Sequence, residues 1–255
     1  MKKLVVETDG IEKLMAIEAA VRDRTPLYCV KLTVNRDITS LTFREEWQTI
    51  PLVVYPSGLG AVKDLIGLLP LLKKLNVKFF FDGEKPESYE AVQILSSLGI
   101  YSGIVINEKA IWEKLTDVMY YALYGRVPHA PIEPFRYVYD MYAPKKLVDY
   151  GTVYLHNPIL FEIVSAETYL THPLVPSSTC SPVHSSPCSP VPSSTCSLVP
   201  SSTRWQNFFH QATPCAACEG WRICLGKYAN MKDKTKCSNF TTSFLQIIET
   251  LKYKS

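Results

Sequence analysis

No stretch of about 18 apolar residues occurs in the 255-residue chain, so nothing in it reads as a membrane-spanning helix. No secretory leader is expected either. Met1-Lys-Lys-Leu-Val-Val-Glu-Thr-Asp turns acidic after three apolar residues, far short of a signal peptide's core. The expectation is a cytoplasmic chain with reduced thiols, in which clustered cysteines favour metal over disulfide. There is no Gly-x4-Gly-Lys-Ser/Thr phosphate loop, and Ser57-Gly-Leu-Gly60 is too short for a dinucleotide fingerprint. His129, His156, His172 and His210 stand at no ligand-type spacing. Cysteine itself is nearly missing from most of the chain: Cys29 stands alone before Cys180, and seven of the eight follow from there.

Hydrophobic residues make up 47% of the chain and charged residues 20%, ordinary for a globular protein long enough to build a core without staples. The net charge of +3 is uneven. From Arg204 onward eight Lys and Arg face three Asp and Glu, a local surplus of five. That surplus suits an anionic partner or offsets the charge of a thiolate-bound metal centre. A nucleic-acid platform would need a stronger basic stripe. Trp205, Phe208, Phe209, Trp221 and Tyr228 therefore read as packing around a metal centre.

Residues 1–130 alternate between strand and helix patterns. Cys29–Val34, Leu52–Tyr55, Val77–Phe81 and Gly103–Ile106 are short runs of β-branched and aromatic residues closed by turn formers. Between them lie amphipathic stripes: Ile11, Leu14, Met15, Ala19; then Val62, Leu65, Ile66, Leu69, with Pro70 expected to end or kink the helix. Val92, Leu95 and Leu98 form a third stripe closed by Gly99. Ile111, Leu115, Val118, Met119 and Ala122 form a fourth, with Asn107 as N-cap and Gly125 at its end. About four βα units imply an α/β fold with a parallel sheet. A partial TIM-like barrel is the first choice and a doubly wound sheet the second.

Residues 131–171 are a connecting segment richer in Tyr and Pro, read as a β-hairpin of Tyr150–Leu155 and Phe161–Ser165 across Asn157-Pro158. Residues 172–204 carry near-identical octads with Cys180, Cys188 and Cys196 in register. So much Pro and Ser opposes both helix and sheet, so an extended, disordered insertion is expected.

The chemistry concentrates in residues 205–255, where Cys215-x2-Cys218-x5-Cys224-x12-Cys237 gathers four thiols in 23 residues. Such a set can hold zinc or an iron–sulfur cluster. Zinc ribbons usually repeat the Cys-x2-Cys knuckle, and here only the first pair is one; spacing alone leaves the metal open.

Cys-x2-Cys-x5-Cys with Trp221 inside and Gly226 just after resembles the SPASM domain at the C-terminus of radical SAM peptide-maturing enzymes. The family pattern continues to a fourth cysteine and, after a gap, a final one. The resemblance implies that Cys215, Cys218, Cys224 and Cys237 ligate one auxiliary [4Fe–4S] cluster. Tyr228 occupies the position of the cysteine that serves a second cluster. The radical SAM triad Cys-x3-Cys-x2-Cys is missing, since only Cys29 precedes Cys180. Asp82-Gly-Glu-Lys-Pro86 is similar to the family's Gly-Gly-Glu-Pro segment, but a plain turn explains it equally well.

Two functions of different class follow. One is an accessory or degenerate member of the radical SAM/SPASM group, acting in maturation of a ribosomally made peptide. Its partners would be the precursor peptide and a true radical SAM enzyme. The other is a zinc-stabilised, non-catalytic interaction module.

Overall fold

The computed structural model of the protein describes residues 2–21, 27–144, 146–157, 159–171, 215, 217–229 and 231–253. The repeated octads, with Cys180, Cys188 and Cys196, lie outside the described residues, as do Trp205, Phe208 and Phe209.

Seven strands form one parallel sheet: β1 (Lys3–Thr8), β2 (Leu27–Thr33), β3 (Leu52–Tyr55), β4 (Val77–Asp82), β5 (Ser102–Val105), β6 (Ile132–Glu133) and β7 (Phe161–Ser165). Their order is β6-β5-β4-β3-β2-β1-β7. Each strand from β1 to β6 lies beside the one before it, and β7 returns to pair with β1. The helices between them are α1 (Lys13–Val21), α2 (Val62–Lys74), α3 (Pro86–Ser97), α4 (Trp112–Tyr124) and α5 (Phe135–Met141), with α6 (Ala166–Thr171) after β7. With right-handed crossovers, an order that never reverses lays successive helices on one face. The topology is thus compatible with the wall of a barrel left open between β6 and β7; β7, on the far side of β1, marks the one point where the order reverses, as it does in a doubly wound sheet.

A parallel sheet is covered on both sides, and β4 illustrates it. Phe79, Phe80 and Phe81 are all buried, although alternate strand residues face opposite ways. Phe79 meets Phe43 edge-on at 6.1 Å, whereas Phe80 stacks on Tyr55 at 5.6 Å and meets Tyr154 edge-on at 5.6 Å.

The four expected strands are present, each shifted by a residue or two at most at an end. β1 is an addition: only Leu4–Val6 are apolar between Lys3 and Glu7, too short a run to read as a strand without its two neighbours. The expected hairpin is not formed. Tyr150–Tyr154 is a 3-10 helix started by Asp149, whose side chain accepts from the Gly151 amide at 2.9 Å. Phe161–Ser165 pairs in parallel with β1 instead. Tyr154 is held out of a sheet because its hydroxyl donates to the Ile104 carbonyl at 2.7 Å.

Pro70 neither ends nor interrupts α2. Proline removes the bond to the Ile66 carbonyl, but Pro70 and Ile66 are both exposed, so water can serve that oxygen. Leu65 and Leu72 carry the buried face of this helix, while Ile66 is 58% and Val62 44% exposed, so the apolar stripe is narrower than the sequence pattern. Likewise on α1 Ile17 is buried and Met15 faces outward. Gly99 does close α3, at φ +82°, with its amide on the Ser96 carbonyl. Asn107 is no helix cap. It caps the preceding turn through the Lys109 amide at 2.9 Å, and α4 starts after Ile111.

Candidate metal centre

The cysteine-bearing residues build onto the end of the sheet. The Cys218 amide bonds to the Cys215 carbonyl and the Trp221 amide to the Cys218 carbonyl, folding the first knuckle into consecutive turns. A one-turn helix, α7 (Trp221–Cys224), then carries Cys224 inward. It stops because Leu225 and Gly226 both take left-handed backbone, φ 51° and 73°. A side chain at Gly226 would be strained there, which gives that glycine its place after the third cysteine. The long helix α8 (Lys234–Tyr253) presents Cys237 in its first turn. Asp233 accepts from the Thr235 amide at 3.0 Å at the start of that helix, in the manner of an N-cap.

Gly220 brings the two halves together. A Cβ on it would lie 1.9 Å from Thr241 Oγ1 and 2.5 Å from Thr241 Cβ, so only glycine lets the knuckle loop lie on α8. Thr241 is fixed in turn by donating to the Cys237 carbonyl one turn back, at 2.8 Å.

The result is a pocket of about 330 Å³ whose lining includes Cys215, Cys218, Cys224 and Cys237 together. All four sequence-predicted ligands therefore share one cavity. Among the described residues, no three His, Cys, Asp or Glu side chains are gathered as ligands of a single metal ion.

The thiol chemistry follows from burial and mutual charge. Cys224 is pushed up to about 11, first by burial and then by the nearby Cys218, Cys237 and Cys215. Cys237 is raised for the same reasons, burial before the charges of Cys215 and Cys218. Its position at a helix N-terminus favours a thiolate, yet burial and the neighbouring sulfurs outweigh that. Ligation at neutral pH must then displace protons. Two second-layer bonds orient the sulfurs: Ser238 Oγ is 3.4 Å from Cys218 Sγ, and Cys237 Sγ donates to the Lys234 carbonyl at 3.2 Å.

Tyr228 also lines the pocket and ties it to the sheet. Its hydroxyl pairs with the buried Tyr150 hydroxyl and reaches the Ile106 carbonyl, just beyond β5, at 3.4 Å. Lys227 pairs with Asp149, and Arg222 donates to the Ala143 carbonyl at 3.2 Å. Phe240 and Phe244 of α8 pack against Phe135, with Phe240 also against Trp112. The residues around Cys224 and Cys237 therefore belong to the same hydrophobic core as the sheet. Nothing in the sequence pattern pairs Tyr150 with Tyr228, because 78 residues separate them.

The Asp82–Pro86 segment lies, as expected, at the carboxyl end of a strand, running from β4 into α3. The Glu84 amide bonds to Asp82 Oδ1 at 3.0 Å, and Asn107 Nδ2 donates to Glu84 Oε1 at 3.0 Å. It is a turn held by its own side chains. His129 bonds to the Val127 carbonyl at 2.9 Å, and exposed His156 lies beside the Tyr154 ring; neither lines the thiol pocket.

No protein-family model, no curated protein sequence and no solved structure matches this chain.

Proposed function

We propose that Cys215, Cys218, Cys224 and Cys237 hold one [4Fe–4S] cluster, and that the protein serves the maturation of a ribosomally made peptide. In this role it is a radical SAM/SPASM-type protein without the radical SAM triad. The seven-stranded sheet is then its partial barrel, and the residues around the thiols its SPASM-like part. The observation that carries this is the shared pocket: four thiols from the first knuckle, α7 and α8 face one void. Four soft donors lining one pocket suit a cluster or zinc, and the likeness of Cys215-x2-Cys218-x5-Cys224 to the SPASM pattern favours the cluster.

A bound cluster supplies one-electron transfer. The chain's own residues do the rest. The four cysteines give up protons on ligation. Ser238 orients Cys218, and Tyr228 and Trp221 line the pocket beside the sulfurs. The charge and hydrogen bonding of these neighbours tune such a centre. Lacking the triad, the protein would relay electrons or engage the precursor peptide beside a complete radical SAM enzyme.

Anaerobic isolation followed by iron and acid-labile sulfide analysis tests this. A brown protein with about four of each per chain is expected, and Cys237→Ser should lose both. A colourless protein carrying about one zinc would replace the cluster with a structural ion and make the chain a zinc-stabilised interaction module.

A further inference from the structure

The four thiols are not equivalent. Cys224 sits on α7 and Cys237 in the first turn of α8, and each is only 8% exposed. The close approach of Gly220 to Thr241 holds these two elements together, which leaves little room for either sulfur to move. Cys215 and Cys218 lie in the knuckle loop and are partly exposed. The sulfurs thus divide into a buried pair on helices and a reachable pair on a loop.

The reachable pair has the backbone geometry of a disulfide. The Cys218 amide bonds to the Cys215 carbonyl at 3.2 Å. That bond closes a β-turn, and such a turn holds its end Cα atoms within about 7 Å of each other. Disulfides span Cα separations of about 4.4–6.8 Å. Both cysteines line the same pocket, and the ring they would close is small, so its closure entropy is low. Cys-x2-Cys is also the spacing of thiol–disulfide oxidoreductases.

We propose that Cys215 and Cys218 form a reversible dithiol–disulfide site, and that its oxidation shuts the pocket to metal. The oxidant is a small disulfide of the glutathione type. One cysteine thiolate attacks it, forms a mixed disulfide and releases one glutathione. The second cysteine then attacks the mixed disulfide and releases the other. Two electrons pass to the small disulfide, and the two thiol protons end on the two glutathiones. Reduced glutathione in excess reverses both steps. Cys224 and Cys237 remain thiols, but a sulfur in a disulfide gives no thiolate to a metal, so two of four ligands are withdrawn. The disulfide is independent of which metal the pocket takes; its consequence for cluster loading rests on the reading of the four thiols as ligands.

The test uses the full chain, freed of metal with a chelator, reduced, and equilibrated anaerobically with glutathione buffers. Remaining thiols are blocked with N-ethylmaleimide, and disulfides are mapped by mass spectrometry. Cys215–Cys218 should be the main disulfide, with Cys224 and Cys237 recovered as thiols. Cys218→Ser should retain glutathione on Cys215. Cys237→Ser, which removes a ligand, should form the disulfide as readily as the parent chain, so failure of the cluster reading leaves this result standing. Loading is read twice, with iron plus sulfide and with zinc alone. Changes around a ligand already cost about tenfold or more in metal affinity, so the oxidised chain should bind zinc at least that much more weakly. It should take up iron and sulfide only after dithiothreitol. Absence of the Cys215–Cys218 disulfide, pairing of either cysteine with another one instead, or equal zinc affinity of oxidised and reduced chains would overturn the proposal.

Discussion

The Trp112 and Tyr228 rings meet edge to face, with centroids 5.1 Å apart and planes at 85°. This contact joins the helix after β5 to the loop after Cys224. Aromatic pairs in this geometry stabilise beyond their buried area, and here Tyr228 also lines the thiol pocket. The position that the SPASM resemblance reserves for a cysteine is thus filled by a residue that docks the cysteine loop on the sheet.

Tyr228 should therefore be more sensitive than a pocket-lining residue with no other role. Tyr228→Phe leaves the buried Tyr150 hydroxyl without its partner and should cost about 1–3 kcal/mol. Tyr228→Ala removes the ring from Trp112 as well and should cost about 3–5 kcal/mol. Urea unfolding of both variants measures the difference. Equal costs would mean the ring contributes nothing.

Gly220→Ala should disrupt the pocket without touching a thiol. The new methyl group meets the Thr241 Cβ, which cannot rotate away, so α8 and the knuckle loop must separate. A loss of about 1–3 kcal/mol is expected, together with reduced iron in anaerobically isolated protein. Wild-type iron content in this variant would show that the close approach is not needed for ligation.

On α2, neighbouring apolar residues should behave oppositely. Leu65→Ala opens a cavity and should cost about 2–5 kcal/mol. Ile66→Ala, at a solvent-facing position, should stay within about 0.5 kcal/mol. Pro70→Ala should stabilise, by up to about 3 kcal/mol, because it restores a helix bond and a helix-forming residue. Thermal or urea unfolding reads all three.

Cys29 should be an inert thiol. Burial pushes it up to about 12, with Lys78 and Lys31 countering only in part. A raised thiol value in the folded chain means its contribution to stability is intact below the unfolded value of 9.0 and is lost as pH rises towards about 12. Iodoacetamide at pH 8 should leave Cys29 unmodified in the folded protein and label it in urea. Peptide mapping by mass spectrometry checks this, and ready labelling of the folded chain would contradict it.

The alternation of short β-branched runs with amphipathic stripes was enough to define an α/β fold and four of the strands. That information is local, carried by periodicity and by turn formers such as Gly99. β1 and β7 were not legible as neighbours, because a parallel partner 158 residues away leaves no local trace, as with Lys3 opposite Phe161. The Tyr150–Tyr154 segment has strand composition, but Asp149 and the Tyr154–Ile104 bond, both tertiary or turn chemistry, make it a 3-10 helix.

By itself the sequence determined which thiols cluster, since Cys215, Cys218, Cys224 and Cys237 lie within 23 residues and spacing alone limits how far apart they can be. Only the tertiary structure decided that they line one void, that Gly220 must yield to Thr241, and that Tyr228 anchors the loop through Trp112 and Tyr150. Those relationships depend on packing between elements far apart in the chain, where burial and close approach, not periodicity, select the residue.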